Sequence, residues 1–173
     1  MAELNQEINR VANAMKYAMK MEMDGYEFYK ENAEKFANPT TKEIFEGLAN
    51  EELSHYNFLK QEMNNYVNNP DEYEMDEKAL EPEESIFSQR AESQKLDMTL
   101  AQSDVPDMTI LRTAYLTEAD FAEYYESQAE QAEDPKIKGV FNMLSEWERG
   151  HEKMFRDEYN RLLKEYMNMP WGG

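Results

Sequence analysis

The stretch Glu52-Leu53-Ser54-His55 returns later in the chain as Glu148-Arg149-Gly150-His151, and these two places hold the only histidines of the sequence. In each, a glutamate stands three residues before the histidine. That spacing is close to one turn of an α-helix, so carboxylate and imidazole leave the helix on the same face and can grip one cation. Outward from the motif, a shift of 96 residues lays 18–55 over 114–151 without a gap, and 13 of the 38 aligned positions are identical. The matches include Glu22/Glu118, Tyr29/Tyr125, Pro39/Pro135, Phe45/Phe141 and Leu48/Leu144. A repeat of this clarity makes the chain two copies of one helix hairpin.

Each copy reads as helix, turn, helix. Residues from about 4 to 37 form the first helix, since Met15, Ala18, Glu22, Gly25, Tyr29, Ala33 and Phe36 recur in steps of three and four. Glu22 falls on that core-facing stripe, where an unpaired charge costs several kcal/mol, so its place requires a partner. Asn38-Pro39 supplies an N-cap and a proline at the first helical position, which opens a second helix over about 39–67. Phe45, Leu48, Glu52, His55 and Leu59 lie along its inner seam. Glu62 and Glu158, seven residues after each histidine, are expected at the solvated end of that seam.

Glu22 lies 16 residues before Asn38 and Glu52 lies 14 after it. At about 1.5 Å per residue both stand roughly 21–24 Å from the turn, so an antiparallel hairpin brings them level. The second copy repeats this arithmetic around Asp134-Pro135, with Glu118 16 residues before and Glu148 14 after.

Residues 68–106 break the pattern and read as a long crossover containing a short helix over 83–95. The third helix is expected to start near Asp104–Asp107 and run to Glu133, and the fourth to run from Pro135 to about Met167. Two hairpins joined by one long crossover predict an all-α, ferritin-like four-helix bundle. The expected organisation is a single domain over 1–173, with repeat one at about 4–67 and repeat two at about 107–167.

Composition narrows the functional classes. A net charge of −19, from 18 basic and 37 acidic residues, argues against nucleic acid or anionic membrane as a partner. With no cysteine, disulfides, thiolate metal sites and iron–sulfur clusters are excluded, which fits a cytoplasmic protein. Met1 to Arg10 lacks the apolar run of a signal peptide, and no uncharged apolar stretch reaches the length of a membrane span. Long amphipathic helices rich in Tyr, Met and Phe predict apolar surface left over for a homo-oligomer, a dimer first of all.

Four inward glutamates (Glu22, Glu52, Glu118, Glu148) and two inward histidines (His55, His151) are thus expected at one level of the bundle. One Glu from each of two helices plus Glu-x-x-His from each of the other two is a donor set for two metal ions. Two divalent cations bring four positive charges, and four carboxylates neutralise them. Oxygen-rich ligands with one imidazole per ion suit iron or manganese, and zinc can occupy the same ligands. Tyr29 and Tyr125, seven residues after Glu22 and Glu118, either hydrogen-bond a ligand carboxylate or pack as core aromatics. The methionines Met15, Met19, Met143 and Met154 read as packing.

The pattern Glu22-x-x-Gly-Tyr-x-Phe-Tyr29, followed by Phe45-x-x-Leu-Ala-x-x-Glu52-x-x-His55, resembles the ferritin-like domain of rubrerythrins. The second copy, Glu118 to Tyr125 and Phe141 to His151, looks the same. The resemblance implies two iron ions per chain in a non-haem centre. That centre reduces hydrogen peroxide, or oxidises ferrous iron with dioxygen, in the cytoplasm. Ferritin-like iron storage and a non-catalytic metal-binding bundle are the alternatives. Rubrerythrins usually carry a four-cysteine rubredoxin domain; with no cysteine here, electrons would come from a separate donor such as a rubredoxin. The family also tends to place a second Glu one turn after the third-helix ligand. Phe121 stands there, which removes a seventh ligand.

Overall fold

The computed structural model describes residues 2–76, 96–102 and 107–168. Four long helices make up nearly all of this: α1 (Ala2–Ala33), α2 (Pro39–Asn68), α3 (Met108–Gln131) and α4 (Pro135–Met167). The short helix expected over 83–95 lies outside the described residues.

Local chemistry sets the helix starts, and it repeats. The Asn38 side chain accepts hydrogen bonds from the amides of Thr40 (2.9 Å) and Thr41 (3.2 Å), with Pro39 at the first helical position. Asp134 does the same for the amide of Lys136 (2.8 Å), ahead of Pro135. Asp107 caps α3 by accepting from the amide of Thr109 at 2.9 Å. Each cap satisfies amides that a helix start leaves without a partner.

The first helix is shorter than the expected end at residue 37. It stops at Ala33 because Phe36 pairs with Leu100, at the end of the crossover, in an isolated antiparallel bridge. The Ala37 amide donates to the Thr99 carbonyl at 3.0 Å, and the Ala101 amide to the Lys35 carbonyl at 2.9 Å. Thr41 strengthens the junction: its hydroxyl donates to the Asp97 carbonyl and accepts from the Asp97 amide, each at 3.1 Å. Leu96 and Met98 are buried there against the core.

The start of the crossover is fastened at the opposite end of the bundle. Tyr73 donates its hydroxyl to Glu62 and packs edge-on against Tyr66 at 5.3 Å. The Lys136 ammonium donates to the Tyr73 carbonyl and to Glu74. The crossover therefore leaves beside the α3–α4 turn and returns beside the α1–α2 turn. That placement makes α2 and α3 run parallel, as a bundle with one long connection requires.

The apolar core is in two parts. One cluster gathers Met15, Phe58, Leu59, Ile137, Phe141 and their neighbours toward the α3–α4 turn. The other gathers Phe36, Ile44, Phe45, Leu111, Phe155 and their neighbours toward the α1–α2 turn. Met15 and its partly buried companions Met19, Met143 and Met154 pack into these clusters. Between the two parts lies a layer of buried acidic and imidazole side chains.

Candidate metal centre

Each helix sends its share of that layer inward. Glu22 comes from α1, Glu52 and His55 from α2, Glu118 from α3, and Glu148 and His151 from α4. None of the six is more than 6% exposed. They form two groups whose donor atoms lie within 4.8 Å of one another: Glu22, Glu52, His55 and Glu148 in one; Glu52, Glu118, Glu148 and His151 in the other. Glu52 and Glu148 belong to both.

Nδ1 of His55 faces Glu148 Oε1 at 3.1 Å, Glu22 Oε2 at 3.4 Å and Glu52 Oε2 at 3.8 Å. Nδ1 of His151 faces Glu148 Oε2 at 3.3 Å, Glu118 Oε2 at 3.4 Å and Glu52 Oε1 at 3.9 Å. None of these approaches is aligned as a hydrogen bond. Both oxygens of Glu52 and Glu148, Oε2 of Glu22 and Glu118, and both Nδ1 atoms are buried without a hydrogen-bond partner. Polar atoms left so cost about 1–3 kcal/mol each, more when charged, which a fold tolerates where something else binds them. These eight atoms belong to the residues of the two groups, and their chemistry fits two divalent cations.

The outer atoms are held by the protein. The Tyr29 hydroxyl donates to Oε1 of Glu118, and the Tyr125 hydroxyl donates to Oε1 of Glu22. Of the two sequence readings for these tyrosines, the hydrogen bond is what forms. It forms crosswise: each tyrosine holds the glutamate of the other hairpin. The rings stay in the apolar clusters, with Tyr29 stacked on Phe155 at 5.8 Å and Tyr125 on Phe141 at 6.2 Å.

Electrostatics follow from burial. Burial pushes the Glu52 carboxyl well above the ordinary carboxylate range, and the charges of Glu148 and Glu22 push the same way. Glu118 is also raised, by burial and then by Glu148. Burial opposes the charge on Glu148 too, but His55 and His151 outweigh it and hold that carboxylate low. Burial pulls both imidazoles down, yet the surrounding carboxylates raise them well above the ordinary histidine value. Burial, with Glu22 next, keeps the Tyr125 hydroxyl protonated, so it acts as a donor.

Phe121 sits beside this layer, not at its solvent edge. A Cβ on Gly25 would meet Phe121 Cε2 at 3.3 Å and Glu52 Cδ at 3.4 Å. Gly25 is thus the position that lets the Phe121 ring approach α1 closely, and Gly25 and Phe121 are equivalent positions of the repeat.

Glu62 corrects an expectation. It is fully buried, not solvated, because Tyr73 of the crossover covers it and donates to its Oε2 at 2.5 Å. Glu158, its counterpart, is partly exposed and pairs with Arg161. Spacing also gave no sign of Glu51, whose carboxylate accepts from Nε2 of His151 at 2.8 Å, or of Trp147, whose ring lies 5.8 Å from that of His55.

Comparison with known proteins agrees with this geometry. A hypothetical protein from Pyrococcus furiosus has a similar solved structure, with a TM-score of 0.61 and 25% identity over 89% of this chain and 90% of that one. No curated protein matches. The rubrerythrin family model matches residues 13–159, a span holding all four inward glutamates and both histidines of the buried layer. The chain belongs to the rubrerythrin family.

Proposed function

We propose that the chain is a di-iron peroxidase whose metal ligands are Glu22, Glu52, His55, Glu118, Glu148 and His151. One observation carries the reading: two four-residue donor groups share Glu52 and Glu148, and the eight atoms facing them have no hydrogen-bond partner in the protein. Glu52 and Glu148 would bridge, Glu22 with His55 would complete one site, and Glu118 with His151 the other. Manganese or zinc fits the same donors.

When bound, two ferrous ions supply the two electrons that, with two protons, convert one hydrogen peroxide to two waters. The chain's own part is to orient and to enclose. Tyr29 and Tyr125 hold the outer oxygens of Glu118 and Glu22, which fixes the inner oxygens on the site. The two apolar clusters above and below keep bulk water from the layer and so strengthen its electrostatics. These 173 residues hold no cysteine, so the electrons for re-reduction come from outside them, from a donor such as a rubredoxin. No helix among the described residues is long and apolar enough to cross a membrane; the cytoplasm is the proposed place of work. The reading also includes a homodimer.

The test is stopped-flow oxidation of the anaerobically reduced, iron-loaded protein. Faster oxidation by hydrogen peroxide than by dioxygen, with turnover only when a reductant is added, is expected. Equal or faster reaction with dioxygen, followed by mineral growth beyond two irons per chain, would move the assignment to iron storage.

A further inference from the structure

The repeat makes the two donor groups near copies, but their surroundings differ at one equivalent pair. Glu51 and Trp147 occupy the same position of the two hairpins, each immediately before the glutamate of Glu-x-x-His. Glu51 reaches across from α2 to α4 and accepts a hydrogen bond from Nε2 of His151 at 2.8 Å, with the two side chains only 18% and 7% exposed. Among the described residues, no carboxylate lies on Nε2 of His55. What faces that ring is Trp147, edge-on at 5.8 Å, which also lies 6.3 Å from the ring of His151.

The chemistry of a neutral imidazole gives this difference a consequence. Nδ1 of each histidine points into its donor group, so Nδ1 must offer a lone pair and the proton must sit on Nε2. A carboxylate on that N–H fixes the tautomer, locks the ring's orientation and makes Nδ1 a stronger donor. His151 has that support from Glu51. His55 has an aromatic neighbour in its place.

Resting on the six-ligand reading above, we propose that Glu51 is a positioning residue that makes the two metal sites unequal. The site of Glu118 and His151 is the tighter and fills first. The site of Glu22 and His55 is the weaker and exchanges its ion more readily. The hydrogen bond also joins α2 to α4, so the tighter site is the one whose ligand is held from both hairpins.

The experiment is anaerobic calorimetric titration of the metal-free protein with Co(II), followed in parallel by the visible absorption of the bound ion. Wild type is expected to take up two ions in two resolved steps. Glu51→Ala is expected to weaken the first step by about 10–100-fold, leave the second nearly unchanged and so merge the two. Glu51→Gln, which keeps an acceptor oxygen but not the charge, is expected to fall between them; this milder variant serves if Glu51→Ala does not fold. Two ions bound with equal affinity in wild type, or a loss in the variants shared evenly by both steps, would overturn the proposal and leave the two-ion centre standing. A wild-type chain that binds fewer than two ions would overturn the ligand reading and this proposal with it.

Discussion

The hydroxyl of Tyr29 on α1 donates to a carboxylate oxygen of Glu118 on α3, in the other hairpin. Tyr125 returns the favour to Glu22, so two buried hydrogen bonds tie the hairpins together on either side of the acidic layer. Tyr29→Phe removes the donor and keeps the ring that stacks on Phe155. Loss of a buried bond to a charged acceptor costs about 1.5–3 kcal/mol. Urea unfolding of the metal-loaded protein should show that loss for either single variant. A change within error for both would mean that the hydroxyls carry no stability.

Without metal, the layer should make the protein less stable as pH rises. Glu52 and Glu118 are raised by burial, so the fold favours their protonated forms. That contribution is complete below the ordinary carboxylate range and is lost as pH climbs through their raised values. The raised imidazoles of His55 and His151 act in the same direction, since their protonated forms are lost as pH climbs through their own raised values. Glu148 is held low, so its contribution is present above the ordinary range and fails only in strong acid. Thermal melts of the metal-free protein should therefore fall in midpoint from about pH 6 to about pH 9, where ordinary carboxylates are already ionised. A midpoint that rises over that interval would contradict this account.

Divalent metal should reverse the effect. A ligand that binds only the folded state adds about 2.7 kcal/mol at 100 times its Kd. For a chain of this size that is a rise of roughly 5–10 °C in Tm. Differential scanning calorimetry at neutral pH, with and without Fe(II) under anaerobic conditions, measures it. Equal melting temperatures would show that the layer does not need cations.

Tyr73→Phe should destabilise the protein by about 1–3 kcal/mol, because Glu62 stays buried without its donor. Burial raises the Glu62 carboxyl, so the fold favours its protonated form and that contribution is lost as pH rises through the raised value. The penalty of the substitution should therefore be larger at pH 8 than at about pH 5, near the ordinary carboxylate range. Chemical denaturation at both pH values checks the difference; a penalty that shrinks with pH would contradict it.

Much of this arrangement is legible in the sequence because helices are rulers. Counting from Asn38 and from Asp134 puts Glu22 level with Glu52 and Glu118 level with Glu148, and the four do share one layer. Periodicity tells which face a residue takes but not which neighbour it meets, so the crosswise bonds of Tyr29 and Tyr125 could not be chosen over same-hairpin ones. The early end of α1 depends on strand-like pairing with Thr99 and Ala101, residues more than sixty positions away. Glu62 looked solvated because spacing along α2 carries no information about where Tyr73 folds back. Glu51 was hidden for a geometric reason. Adjacent helical residues point about 100° apart, so spacing alone sets a neighbour of Glu52 off the inner seam, yet Glu51 reaches His151 from the side.

The account's central claim is that six side chains from four helices hold two metal ions, with Glu52 and Glu148 shared. An anomalous difference map from crystals of the Fe(II)-loaded protein, grown without oxygen, tests it most directly. The account predicts two iron peaks per chain, one within about 2.2 Å of Nδ1 of His55 and the other equally near Nδ1 of His151. A single peak, or iron bound elsewhere while Glu52 and Glu148 remain unliganded, would contradict it.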